Sequence, residues 1–539
     1  MANGQTTIPP ANPRDDLLND SALRNLLAPN GRREVGRSRQ VYVNRNLRMS
    51  KIDLVGFDMD YTLAIYTKPA LEQLSFDLTL ARLVERRGYP ESILAIRYDP
   101  SFVMRGLAVD RAHGNLLKMD RYAHVGRAYH GRRLLDGDEK RRLYRDEKIN
   151  LRAERFAWID TLFALPEACL YAEIIELLEK AERRVDYDRL YLDIREIIDE
   201  VHRDGSLKSE VRRDVPRFIT RDLELGPALH KLRSGGKKLF LLTNSHWDYT
   251  DLLMRYLLDG CLPEYPSWRN YFDIVVCGAS KPDFFSRGKP FVEVNPDTGK
   301  PLGEAHALER GRVYEGGNLN DFEQMCGIAG ERILYVGDHI YGDILRSKKS
   351  SLWRTCMIIE ELEEEIAYTD ARTPEIARLA SLELLRAELD DEVNSRKLAL
   401  NVLERQLERD SSLAPDKRRI LEEARRREKG ELERLRRSFK EVCAEADELE
   451  ARIEAGFNSH WGLLFKEGNE NSRFGQQVEQ YACIYTSRVS NLLHYSPLQY
   501  FRSGRDYMPH ERIGTNGKGG LPLFAPLGSE GPPVGSRSA

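Results

Sequence analysis

The sequence predicts an α/β protein, built on an open and largely parallel sheet, with a long helix-patterned insertion and a helical hairpin towards its C-terminal end. Three observations carry this. Four short apolar runs, at 52–57, 238–242, 271–277 and 333–336, read as buried strands, and each is followed by polar residues with chemical capacity. Between the first and second runs, from Leu63 to about Leu223, the chain is charged and helical in pattern. From 373 to 456 leucines and other apolar residues recur at spacings of three and four, the period of a helix face.

The first run leads into Asp58-Met59-Asp60-Tyr61-Thr62. Open α/β sheets bind ligands at the carboxyl ends of their strands. Two carboxylates one residue apart at such an end can divide a phosphoryl transfer between them: one attacks phosphorus, the other handles the proton of the leaving group. The second run ends in Thr243-Asn244-Ser245, a hydroxyl and an amide able to donate hydrogen bonds to phosphoryl oxygens. The loop after the third carries Lys281-Pro282, and a lysine there is a point charge suited to a phosphoryl group in flight. The fourth opens into Gly337-Asp338-His339-Ile340-Tyr341-Gly342-Asp343, where two carboxylates, each preceded by glycine, suit a hard cation that takes oxygen ligands.

This order of motifs resembles the haloacid dehalogenase superfamily of aspartyl-phosphate phosphatases. More closely, Phe57-Asp58-Met59-Asp60-Tyr61-Thr62-Leu63, Thr243-Asn244-Ser245, Tyr249-Thr250-Asp251 and the run from Gly337 to Leu345, followed by Ser347-Lys348-Lys349, resemble the cytosolic purine 5′-nucleotidase family. The resemblance runs with gaps from about Val41 to about Arg372, and returns near 487–493 and 507–511. It implies a Rossmann-like haloacid dehalogenase core at 41–64 and 222–372, with 65–221 as an inserted, mainly helical cap that covers the site and selects the substrate. Asp58 would be the nucleophile and Asp60 first the acid and then the base. Thr243, Asn244 and Lys281 would spread the charge of the transferring group. Mg²⁺ would be held by Asp58, the main-chain carbonyl of Asp60 and Asp338, with Asp343 either binding a metal-bound water or holding Lys281.

In the insertion, Arg195, Asp199 and His202 fall at i, i+4 and i+7 on one helical face, and Lys208 follows. By themselves Arg195 and Asp199 make an ordinary surface ion pair. The resemblance instead assigns them to a 6-oxopurine edge, with Phe163 stacking on the base and Ser245 beside the phosphate. The substrate it implies is a purine nucleoside monophosphate, IMP or GMP before AMP, with transfer of the phosphoryl group to a nucleoside acceptor as a second outlet. A phosphatase of the same mechanism on another small phosphomonoester, or a non-catalytic scaffold on this fold, remain the alternatives. Some positions depart from the family. Ala164 replaces a polar residue and Arg203 an aromatic one. Asp160 stands where the family has an asparagine touching a nucleotide activator, and a carboxylate there would repel polyphosphate, although Tyr341 and Lys349 match.

At 539 residues, 41% hydrophobic, the chain has room for two or three domains with a sizeable core. A net charge of −3 excludes the field expected of a nucleic-acid-polymer binder. No apolar run approaches the ~20 residues of a membrane span. Residues 1–40 read as a flexible polar leader without a signal segment, so a cytoplasmic location is expected. The seven cysteines form no C-x-x-C pair and suit reduced thiols.

In the hairpin, Leu382, Leu385, Leu389, Val393, Leu400, Leu403 and Leu407 mark one arm, and Leu421, Ala424, Leu432, Leu435, Phe439, Val442, Ala446, Leu449 and Ile453 the other. The turn Asp410-Ser411-Ser412-Leu413-Ala414-Pro415 between them predicts an antiparallel coiled-coil pair with Pro415 opening the second helix. The stretch 457–513 reads as a helical segment packing on the core, and 514–539, rich in Gly, Pro and Ser, as a disordered tail. The hairpin reads as a solvated structural arm or, alternatively, as an oligomerisation or partner-docking element, and with the resemblance the C-terminal helices favour a homodimer or homotetramer.

Overall fold

The computed structural model describes residues 35–145, 149–150, 153–286, 288–345, 351–409, 414–506 and 508. The leader as far as residue 34, the tail and Lys349 lie outside them.

A 10-stranded sheet runs through the core in the order Tyr42–Val43, Ile484–Thr486, Arg354–Ile358, Ile333–Gly337, Leu54–Phe57, Lys238–Leu242, Ile274–Cys277, Val313–Gly316, Phe291–Val294 and Pro301–Glu304. Every pairing from Ile484–Thr486 across to Val313–Gly316 is parallel. The Leu54–Phe57 strand lies at its centre, with Phe57 level with Leu241 on one side and Val336 on the other. Its side chains alternate between two apolar layers, Val55 and Phe57 into one with Leu241 and Val336, Leu54 into the other with Phe240, Tyr335 and Trp353. Both faces are therefore covered, which is why the strand reads as an unbroken apolar run. Burying each such side chain is worth ~1.5–3 kcal/mol. Gly56 is required: a Cβ there would stand 2.0 Å from the ring of Phe240.

The insertion leaves and rejoins the core through Ile65–Tyr66 and Ile219–Thr220, which pair antiparallel. Among the described residues, five helices of eight residues or more, Lys68–Arg87, Gly137–Tyr144, Leu165–Lys180, Tyr187–Arg203 and Ser206–Arg213, meet the helical expectation only in part. A 5-stranded antiparallel sheet, ordered Arg133–Leu134, Val125–His130, Asn115–Met119, Leu107–Asp110 and Phe156–Ile159, lies with them. Its central strands, Leu107–Asp110 and Asn115–Met119, are buried on both faces. They show no period-two alternation, so the sequence pattern hides them. Gly114, at φ 70°, makes the turn that joins them.

The segment after 457 also departs from its helical reading. It holds a helix at Arg473–Tyr481, but Ile484–Thr486 adds a parallel strand to Arg354–Ile358, and Tyr42–Val43 closes that edge. A strand of three residues is too short to carry a periodic signal. The segment is fastened to the insertion by the buried Lys118, whose Nζ donates to the carbonyls of Trp461, Leu463 and Lys466, each at 2.6 Å.

Helices Thr373–Arg409 and Pro415–Phe457 form the antiparallel pair, crossed by ion pairs Arg378–Glu445 at 2.7 Å and Arg396–Glu428 at 2.9 Å. Leu382 packs with Ala446, Leu449 and Ile453, and Val393 with Leu432 and Leu435. Leu385 stands outside the seam, 40% exposed. A pattern of threes and fours marks a stripe wider than the two rows a two-helix contact covers. Among the described residues, no helix is long and apolar enough to cross a membrane.

Candidate active site

The ladder continues one residue past the central strands. Asp58 N donates to Val336 O at 2.9 Å and Thr243 N to Val276 O at 3.0 Å, so sheet register sets where the motif residues emerge. Asp58, Asp338 and Asp343, from two neighbouring strand ends, each offer an oxygen within 4.8 Å of the others. All three are buried. Gly337 permits the approach, since a Cβ on it would lie 2.5 Å from Asp343 Oδ2. Asp343 is presented by the wide turn Ile340–Leu345, in which the amides of Asp343 and Ile344 both donate to His339 O, at 2.9 and 3.3 Å.

Buried carboxylates need compensation. Lys281 supplies part of it, with Nζ 2.8 Å from Asp58 Oδ1 and 2.7 Å from Asp343 Oδ1. The same ammonium donates to the Tyr335 hydroxyl at 2.9 Å, which in turn donates to Leu242 O at 3.0 Å. One ammonium does not balance three acids. Burial pushes the Asp58 carboxyl well above the ordinary carboxylate range, against the pull of Lys281, and Asp343 adds to the rise. Burial and Asp343 push Asp338 up to about 7, and its Oδ2 has no hydrogen-bond partner. An all-oxygen cluster short of positive charge, with an orphaned buried oxygen, fits a hard divalent cation such as Mg²⁺.

The Asp60 carboxylate does not belong to that cluster. Tyr66 donates to its Oδ1 at 2.7 Å and Ser245 Oγ to its Oδ2 at 2.9 Å, which leaves the main-chain carbonyl as its route to a cation. Asn244 differs from the phosphate contact expected of it. Its side chain clasps the Lys281 main chain, Nδ2 to Lys281 O at 3.0 Å and Oδ1 from Lys281 N at 2.5 Å, because the loop after Ile274–Cys277 passes directly beside it. Thr243 is fully buried, and its hydroxyl accepts from Ser245 N at 3.1 Å.

Sequence reasoning missed three contributors. Tyr66 and Tyr335 are lone tyrosines with no motif signal. Arg105 lies in the insertion, with its side chain 0% exposed. Its guanidinium donates to Asp338 O at 3.0 Å and forks onto Glu361, Nε to Oε1 at 2.8 Å and Nη2 to Oε2 at 2.5 Å. Burial would raise the Glu361 carboxyl, yet Arg105 and Lys68 hold it at about 2. Asp160 pairs with His339 Nε2 at 3.0 Å, so its carboxylate is compensated within the protein. Burial opposes charge on that imidazole, but Asp160, Asp343 and Asp338 outweigh it and carry it to about 9.

On the side of the insertion, the Phe163 ring meets Tyr61 at 4.7 Å, His202 at 5.6 Å and Tyr66 at 5.9 Å between centroids. Tyr61 adopts φ 51°, a left-handed conformation costly for an aromatic residue. His202 Nδ1 donates to Ile198 O at 2.8 Å, and burial lowers its pKa. Lys208 Nζ sits 4.9 Å over the Tyr249 ring. Arg195 is bound to the buried Glu167 at 2.7 Å and to Asp199 at 3.4 Å, with its side chain 47% exposed. The structure thus gathers Phe163, His202 and Lys208 beside the residues around Asp60, and gives Arg195 and Asp199 partners of their own.

A model of the 5′ nucleotidase family matches residues 41–513. A 5′-nucleotidase domain-containing protein of Dictyostelium discoideum is 32% identical over 477 residues, covering 87% of this chain and 74% of the relative. The 5′-nucleotidase domain-containing protein 2 of Rattus norvegicus is 30% identical over 489 residues, covering 87% and 80%. Among solved structures, a predicted phosphoglycolate phosphatase from Haemophilus somnus overlaps 57% of this chain and 86% of its own at 13% identity, with a TM-score of 0.27, too partial an overlap to bear on the site.

Proposed function

The chain belongs to the 5′-nucleotidase family, and on that premise we propose that it is a Mg²⁺-dependent 5′-nucleotidase that hydrolyses purine nucleoside monophosphates, IMP and GMP before AMP, through an aspartyl phosphate. The observation that carries this reading is the separation of two acid environments at one strand end. Asp58 lies in a buried, charge-deficient cluster with Lys281, while Asp60, two residues on, is held by neutral hydroxyls.

The residues divide the work accordingly. Asp58 attacks the phosphorus in line and the ester oxygen leaves, so one difficult displacement becomes two easier ones. Asp60 gives its proton to the departing ribose oxygen, then takes one from the water that hydrolyses the acyl phosphate. Lys281, fixed by Asn244, Tyr335 and Asp343, carries its charge to the transferring group with little reorganisation. The Thr243 hydroxyl, whose oxygen accepts from Ser245 N, keeps a hydrogen to donate beside it. A magnesium ion held by Asp58, Asp338, Asp343 and the carbonyl of Asp60 would supply charge neutralisation at the phosphoryl oxygens. A nucleoside in place of water would accept the phosphoryl group by the same second step.

For the base, Phe163 offers a stacking face. Arg195 donors suit O6 and N7, and the Asp199 carboxylate suits N1–H, which a 6-oxopurine presents and adenine does not. A second reading, a phosphatase of the same mechanism on another small phosphomonoester, draws on the commitment of Arg195 to Glu167 and Asp199.

Two measurements test the proposal. Acid-quenched enzyme turning over ³²P-labelled IMP should retain label on protein, and Asp58→Asn should retain none while keeping its circular dichroism spectrum. Label or turnover in that variant would remove Asp58 as nucleophile. A panel of IMP, GMP, AMP, UMP and a sugar phosphate at one Mg²⁺ concentration should rank the 6-oxopurines first. Equal rates across it would select the second reading.

A further inference from the structure

Tyr66 is 3% exposed and sits on the strand by which the insertion leaves the core, paired there with Ile219. Its hydroxyl lies between two partners, Asp60 Oδ1 at 2.7 Å and the Tyr249 hydroxyl at 3.1 Å. Tyr249 comes from the helix Trp247–Leu258 that follows the Thr243-Asn244-Ser245 motif. Ser245 Oγ holds the other oxygen of the same carboxylate at 2.9 Å. The Tyr66 ring is clamped by Tyr61, with centroids 4.8 Å apart.

We propose that Tyr66, backed by Tyr249, is the positioning residue of the general acid: together with Ser245 it fixes the plane of the Asp60 carboxyl. The inference rests on the reading of Asp60 as general acid. Two hydroxyls on two oxygens determine the carboxyl plane, which a single contact would leave free to rotate. The tyrosine pair adds what Ser245 alone lacks: the Tyr249 hydroxyl, 3.1 Å away, holds the Tyr66 hydroxyl on its line to Asp60. Losing either hydroxyl would leave a buried polar group without its partner, at a cost of ~1–3 kcal/mol. Because Tyr66 belongs to the core–cap connection, the alignment of the acid is tied to the seating of the cap.

The test uses the full-length protein and kcat/KM, which covers the steps only as far as departure of the leaving group. IMP needs a proton for its ribose oxygen; p-nitrophenyl phosphate expels a stable phenolate without one. Tyr66→Phe keeps the ring and should lose ~10-fold or more on IMP but under ~2-fold on p-nitrophenyl phosphate. Tyr249→Phe should show the same selectivity to a smaller degree. Asp60→Asn serves as the reference and should lose most on IMP. If Asp60→Asn is selective while Tyr66→Phe harms both substrates equally, or neither, Tyr66 is a packing residue and the inference fails with the mechanism intact. If Asp60→Asn is itself unselective, the acid has been misassigned and both readings fall.

Discussion

The two halves of the site are built on different principles. On the core side, Asp58, Thr243 and Asp338 follow directly on three adjacent strands whose register is fixed by buried ladders, and Lys281 is tied down by Asn244, Tyr335 and Asp343. On the side of the insertion, the proposed base-recognition residues Arg195 and Asp199 project from the helix Tyr187–Arg203, and the Arg195 side chain is half exposed. A strand end places a functional group through many shared hydrogen bonds. A helix face places it through one side chain's rotamers. The chemistry therefore sits where geometry is over-determined, and the proposed selectivity where single residues can change without disturbing the sheet.

The largest effect should come from the core. Lys281→Ala leaves the buried acids without their ammonium and should lower kcat by ~10²–10³-fold, as removal of a pre-aligned charge stabiliser does. Lys281→Arg should not restore it, because the larger fork does not fit between Asp58, Asp343 and Tyr335. Full activity in either variant would show that the core side is less constrained than its contacts indicate.

Arg105 breaks the clean division, since a residue of the insertion reaches the carbonyl of Asp338. Arg105→Met leaves Glu361 charged and only partly exposed, with Lys68 its remaining cation, and should cost ~2–3 kcal/mol in urea unfolding. The double variant Arg105→Met with Glu361→Leu should cost much less than the sum of the singles. Strict additivity would mean that the two residues do not act as a pair.

A smaller effect is expected at the cap face. Arg195→Ala should raise KM for IMP ~10-fold, in line with losing a hydrogen bond to a charged group, and leave KM for p-nitrophenyl phosphate unchanged. Equal changes on both would locate the damage in the Arg195–Glu167 pair rather than in base recognition.

The same contrast governs what could be read from the amino-acid sequence. Asp58 and Asp338 were legible because each directly follows an apolar strand, and Lys281 and Asp343 because each lies in the loop after one, and strands side by side in the sheet bring the four together. Tyr66, Tyr335 and Arg105 were not, because their roles depend on contacts between segments far apart in the chain. Arg105 and Asp338 stand 233 positions apart. The cap sheet was hidden by burial on both faces, and the strand Ile484–Thr486 by its brevity. The hairpin was legible in outline because helical periodicity is local, though Leu385 shows that periodicity marks a stripe and not a contact.

The smallest effect sharpens the comparison by changing the cap while sparing the chemistry. Glu72, on the helix Lys68–Arg87, is buried and accepts from the Tyr98 hydroxyl at 2.8 Å. Burial raises its carboxyl to about 7, against the pull of Tyr98 and Lys68. A carboxyl raised on folding binds more protons folded than unfolded between its two pKa values, so stability falls as pH climbs from the ordinary glutamate range towards 7. Glu72→Gln keeps an acceptor for Tyr98 and cannot ionise. It should therefore be more stable than wild type by about 1 kcal/mol at pH 8, with the advantage vanishing near pH 4, and kcat on IMP should not move. Urea midpoints at the two pH values check the sign. A variant less stable at pH 8 would mean that Glu72 is ionised and usefully paired in the folded protein, and that the cap is tuned by charge as tightly as the core.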